Sequence, residues 1–192
     1  MPRPGVGRTH PSTVSGADQW VPAFAGTWWF GYDVAMLLNT PAELRAAVPA
    51  GRRVIGLDVG TKTIGLALSD TRLVIASPLD TIRRRRFRDD MAVLFALVEQ
   101  HDVGGLVIGL PLSLAGTDSP RTQSVRQFAR NLLALREMPL AFWDERLSTA
   151  AVTREMIAHD MTRKRRAEIV DKVAAAYILQ GFLDAMGHGE IS

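Results

Sequence analysis

The pattern of apolar and polar positions changes character near residue 50. Up to that point Pro2, Pro4, Pro11 and Pro22 are scattered among Gly, Ser, Thr and Trp without a period. Met36 to Pro49 reads as a short helix or arm leading into the first strand. From Arg52 the signals sharpen. Arg53–Val59 and Ile64–Ser69 are short apolar runs joined by Gly60-Thr61-Lys62-Thr63, a hairpin connection. Leu73–Ala76 is a third short run. Met91, Leu94, Phe95 and Val98 follow helical spacing within Asp89–Gln100. Gly104-Gly105 is expected to stop that helix, and Leu106–Leu110 reads as a fully buried strand. Ser119-Pro120 opens a second helix, with proline at its first position and a face of Val125, Phe128, Leu132 and Leu135. Pro139–Trp143 is the last strand. Ser148 is the expected N-cap of a helix through Ile157, and a final helix spans Ala167 to Met186, closed by Gly187.

Three strands, helix, strand, helix, strand and then helices predict an α/β domain, a mixed five-stranded sheet with helices on both faces. At 192 residues there is room for one such domain with an appendage. The expected organisation is an extension over residues 1–50, a domain over 51–187 and a tail over 188–192. The extension lacks the charge and cleavage pattern of a secretory signal. Its Trp20-Val-Pro-Ala-Phe-Ala-Gly-Thr27 stretch resembles peptides translated from bacterial palindromic repeat DNA, so Met36 is the expected start, with 1–35 disordered or mis-annotated.

Composition narrows the chemistry. No cysteine is present, which excludes disulfides, zinc fingers and thiol catalysis, and fits a cytoplasmic setting. No apolar run is long enough to cross a bilayer. The net charge is only +3, but five arginines crowd into Arg83–Arg88 and a second basic run is Arg163–Arg166. Nearly all the cations are arginine, whose planar fork suits phosphate oxygens. The runs point to a polyanionic partner touched in defined places, or else to solvated helix entrances.

Three acids stand out. Val54, Gly56 and Asp58 share one face of the first strand, and a carboxylate at that strand's end either caps the glycine turn or holds a cation. The following Gly60–Thr63 loop, with Lys62 and Thr63, suits an oxygen-rich phosphate. Asp144 and Glu145 end the last strand and point in opposite directions, so one of them faces the site. Asp144 could instead pair with Arg146. Asp171 lines up with Ala174, Ala175, Ile178 and Phe182 on an apolar helix face, or else caps a helix that begins there. Acids from three elements, offering only oxygen, select a hard cation such as Mg²⁺ or Mn²⁺ over zinc. His10, His101, His159 and His188 have no Ser or Cys neighbour that suggests a triad, so a metal-bound water is the expected base.

Four blocks, Gly56–Gly65, Val107–Pro111 with Ala115–Thr117, Asp144–Thr149 and Val170–Ala175, together resemble the YqgF/RuvX family. Its members are similar to Holliday junction resolvases and are regarded as nucleases for the 5′ end of pre-16S ribosomal RNA. The resemblance runs from about Val54 to Leu183 and implies a ribonuclease-H-like fold. It also implies a two-metal phosphodiester hydrolase in which Asp58, Glu145 and Asp171 hold the metal and Asp144 stands beside them. Lys62, Thr63, Arg146 and Ser148 are the expected substrate contacts, with Arg163–Arg166 tracking the strand beyond. Two positions depart from the family pattern: Ser113 where asparagine is frequent, and Ala167-Glu168 where a basic pair is frequent. The partner expected is nucleic acid, precursor ribosomal RNA ahead of DNA, with no membrane and a homodimer left open. Three other readings remain: a Holliday-junction resolvase-like DNA nuclease, a non-catalytic nucleic-acid-binding or transcription factor, and an actin-like ATPase. The last is disfavoured because about 140 patterned residues are too few for the two domains it needs.

Overall fold

The computed structural model describes residues 37–112, 119–147 and 163–188, without the side chains of 147, 163–169 and 188. Strand β2 (Arg53–Val59) pairs antiparallel with β3 (Thr63–Ser69), and β3 with β4 (Ala76–Arg83). On its other side β2 runs parallel to β5 (Val103–Leu110), which runs parallel to β6 (Leu140–Asp144). A two-residue strand β1 (Leu37–Leu38) pairs parallel with β6, so the order is β1-β6-β5-β2-β3-β4. The α/β class is the expected one. The strand count is corrected from five to six, because two residues too short to carry a pattern find a free edge at β6.

Helices cover both faces. Ile55, Leu57, Ile64, Leu66, Leu106 and Ile108 pack with residues of α2 (Phe87–Gln100) and α3 (Pro120–Leu135) in one core. Val54, Ala67, Val107 and Ala141 pack with residues of α1 (Pro41–Ala47) and the long α4 (Arg163–His188) in the other. The strict alternation along β2 thus sends its even-numbered residues, Asp58 included, to the α4 side.

Helix α1 is a true element of the domain. Thr40 caps it, accepting the Glu43 N–H at 3.2 Å, and Leu44 is fully buried. Helix α3 opens with a reciprocal cap between Ser119 and Thr122. The Thr122 hydroxyl also donates to the Pro111 carbonyl at 2.5 Å, fastening the end of β5 to this helix.

Three local expectations are corrected. Leu73–Ala76 is not a strand, since Asp70 Oδ1 accepts the N–H groups of Val74 and Ile75 at 2.7 and 3.0 Å and folds a turn there. Strand β4 starts at Ala76 instead. Gly104 and Gly105 do not precede β5 but lie inside it, and a Cβ on Gly105 would come within 2.7 Å of Val48 Cγ2. Those glycines let α1 approach the sheet. Leu135 is 45% exposed, and the inner face of α3 is formed by Val125, Phe128, Ala129 and Leu132. The helix expected over Ser148–Ile157 lies outside the described residues.

Candidate active site

Asp58 stands one residue before the end of β2 and is only 5% exposed. Its neighbours across the sheet are glycines. On β3 its partner is Gly65. On β5 it lies one step past the Leu57–Ile108 pair, beside Gly109. Both glycines are filled from above by other acidic residues. A Cβ on Gly65 would lie 2.1 Å from the Asp171 carbonyl oxygen, and one on Gly109 would lie 2.7 Å from Glu145 Oε1. Side chains at these positions would push α4 and Glu145 off the sheet. The row Gly65–Asp58–Gly109 therefore seats Asp171 on one side of Asp58 and Glu145 on the other.

Each neighbour arrives from its own element. Glu145 follows β6 in a single 3₁₀ turn, Glu145–Leu147, and is 8% exposed. Asp171 is half-buried, eight residues after the first residue of α4, which removes the N-cap alternative for it. The residues expected on its helix face, Ala174, Ala175, Ile178 and Phe182, are all buried. The Thr63 hydroxyl donates to Asp171 Oδ2 at 2.6 Å.

Asp144 points the other way. It pairs in register with Leu110, a residue of the α2/α3 core, whereas Trp143 pairs with Gly109 on the α4 side. Its carboxylate takes the Arg146 guanidinium, with Nε at 3.0 and 2.9 Å from the two oxygens, and also the Arg146 backbone N–H at 3.0 Å. The Arg146 hydrogen bonds hold the Asp144 carboxyl below its ordinary range against a smaller opposing effect of burial. Arg146 is correspondingly raised by Asp144. Adjacent acids with opposite directions are what the sequence predicts, and Glu145 is the one beside Asp58.

The loop Gly60–Thr63 is closed by the Gly60 N–H donating to the Thr63 carbonyl at 2.9 Å. Lys62 is exposed at its tip. Arg84, one of the arginine run, turns inward to brace this loop. Its Nη1 donates to the Gly60 carbonyl at 2.7 Å, its backbone N–H to the Lys62 carbonyl at 2.9 Å, and its guanidinium lies 5.9 Å from the Phe128 ring centre. Sequence reasoning missed Arg84 because a run of like residues carries no mark of which member points in. It also missed Gly65 and Gly109, whose importance depends on what packs above them.

Ser148 and Ser113 lie outside the described residues. Arg163–Arg166 fall in the first turns of α4, with side chains outside the description. Among the described residues, no three His, Asp or Glu side chains form a closed metal-holding group. Asp171 Oδ2 is engaged by Thr63, and Asp144 by Arg146. The donors flanking Asp58 are nonetheless all oxygen, carried by Asp171 and Glu145 over the two glycines. Their chemistry suits a hard divalent cation.

Comparison with known proteins shows the family. The profile of the RuvX family, described as Holliday junction resolvase, matches residues 52–185. A protein of Paramagnetospirillum magneticum named "Putative pre-16S rRNA nuclease" is 59% identical over 149 residues, 78% of this chain and 96% of its own. One of the same name from Zymomonas mobilis is 57% identical over 152 residues, 78% of this chain and 93% of its own. Among solved structures, Thermus thermophilus RuvC in complex with Holliday junction substrate overlays 71% of this chain and 96% of its own, at TM-score 0.45 and 13% identity. The protein is a nuclease, a hydrolase acting on ester bonds of nucleic acid. The chain belongs to the RuvX family.

Proposed function

We propose that this chain is a divalent-metal-dependent nuclease that processes the 5′ end of precursor 16S ribosomal RNA in the cytoplasm. The observation that supports this most is the glycine row, which admits Asp171 and Glu145 on either side of the buried Asp58. Three carboxylates gathered at one sheet end repel a phosphate unless a cation stands between them. In this reading Asp58, Glu145 and Asp171 hold Mg²⁺ or Mn²⁺. Such ions, when bound, offset charge on the phosphate and activate water at neutral pH.

The chain's own residues do the rest. Thr63 orients Asp171 through its hydroxyl and, with Lys62, meets a phosphate next to the cleaved bond. Arg146, aimed by Asp144, neutralises backbone charge. Ser148 contacts the substrate beside it. The RNA target rests on the names carried by relatives more than half identical to this chain over most of its length. The family description, Holliday junction resolvase, favours junction DNA as the second reading.

Incubation of the full chain with a precursor 16S RNA, a four-way DNA junction and a linear duplex, with and without Mg²⁺ or Mn²⁺, separates these. Metal-dependent cleavage of the RNA at its 5′ side is the expected result. Cleavage of the junction alone would replace the RNA reading, and cleavage of the RNA in chelator would remove the metal.

A further inference from the structure

The arginine run left unexplained by the acidic site lies beside it. Strand β4 ends at Arg83, which pairs with Thr63, so the run Arg83–Arg88 leaves the sheet at the Asp58 end. Its backbone is pinned on both sides. Arg84 is anchored inward to Gly60 and Lys62, as above. The Arg85 N–H donates to both carboxylate oxygens of Asp90, at 3.0 and 3.3 Å, and Asp90 is buried. Phe87 packs edge-on against Phe128, with ring centres 5.5 Å apart. The heads of Arg85, Arg86 and Arg88, by contrast, are exposed. Among the described residues none of these three has a carboxylate partner, although Asp89 directly follows Arg88.

Asp90 serves the helix start as a cap, whereas the inward Arg84 ties the same run to the Gly60–Thr63 loop and leaves three of its heads outside. We infer that Arg85, Arg86 and Arg88, continuous with Lys62, form a contact surface for the phosphate backbone of the strand flanking the cleaved bond. This rests on the nuclease reading for its orientation, while the binding itself is separable from cleavage. A planar guanidinium fork meets phosphate oxygens in pairs and loses less side-chain freedom per hydrogen bond than an ammonium. Such contacts position a strand without reading its sequence.

The test is the salt dependence of binding, measured by anisotropy with a short labelled single-stranded RNA, in an Asp58→Asn background where the probe stays intact. The variant replaces Arg85, Arg86 and Arg88 by Gln. The control removes the same charge at the far end of the sheet, replacing Arg45, Arg52 and Arg72, which line a separate cleft of ≈ 220 Å³ beside the start of β2. Three lost phosphate contacts should flatten the slope of log K against log salt by about 2 on a single strand. The control should leave the slope near its starting value, with circular dichroism showing both proteins folded. Equal flattening in both would mean net charge alone acts, and an unchanged slope in the first would remove the surface. Either result overturns the inference. Failure of wild-type cleavage on every substrate, with the slope difference intact, would instead fault the nuclease reading and leave the surface standing.

Discussion

The Thr63 hydroxyl donates to Asp171 Oδ2 at 2.6 Å, tying the hairpin turn to the last helix across 108 positions of the chain. One side chain thus links the loop proposed to meet the phosphate to an acid proposed to hold metal. Groups that orient metal ligands typically change affinity or activity by roughly 10- to 100-fold when removed. Thr63→Val should raise the Mg²⁺ concentration needed for half-maximal cleavage by about that factor, while Thr63→Ser should recover most of it. A Val variant with an unchanged metal requirement would show that this bond only fastens the fold.

Arg84 braces the same loop from the other side. Removing a hydrogen-bonded, half-buried cation costs about 1.5–3 kcal/mol, so Arg84→Ala should lower the unfolding midpoint measurably. Arg84→Lys keeps the charge but loses the planar fork. It should retain fold and RNA affinity while cleaving more slowly, a split between KM and kcat that a purely structural arginine would not produce.

Among the described glycines, Gly65 leaves the least room for a side chain. A methyl group there meets the Asp171 carbonyl oxygen at 2.1 Å and must displace α4. Overpacking of this kind costs about 1–3 kcal/mol and occasionally more. Gly65→Ala should therefore lose both stability and cleavage, read by thermal unfolding and product formation. Gly51→Ala serves as a contrast: nothing lies within 4 Å of its Cβ position, but its φ of +82° adds backbone strain, so a loss of stability without loss of cleavage is expected.

Acid should weaken the fold through two carboxylates. Arg146 hydrogen bonds lower Asp144 from its ordinary 3.8. For Asp70, burial pushes upward, but the N–H groups of Ile75, Val74 and Arg72 and the Arg72 charge outweigh it, so the net direction is also down. A depressed folded-state value means the contribution is present above the unfolded value and lost as pH falls through the folded one. The gap in unfolding midpoint between wild type and Asp144→Asn should thus shrink between about pH 5 and pH 2. A gap that widens with acid would contradict the assignment.

Much of this was legible in the sequence, for physical reasons. The alternation in β2 and the helical spacing in α2 set which faces are buried, and Asp58 falls on its face by parity alone. Four motif blocks marked the family. The rest depended on distant partners. Leu37 and Leu38 become a strand only because β6 offers an edge. Leu44 and Val48, in a segment expected to precede the domain, are buried because Gly104 and Gly105 make room for them. Arg84 differs from its neighbours only through the carbonyls of Gly60 and Lys62. No local pattern announces a contact that another part of the chain supplies.

Asp58 at the centre of the acidic row is the claim on which the account stands. The direct measurement is cleavage of precursor 16S RNA by Asp58→Asn beside wild type, at matched purity and with matched circular dichroism. Asn keeps the shape and removes the charge. Losing several kcal/mol of charge stabilisation corresponds to a fall of roughly 10³-fold, with the fold intact. Cleavage by the folded variant at the wild-type rate would contradict the account.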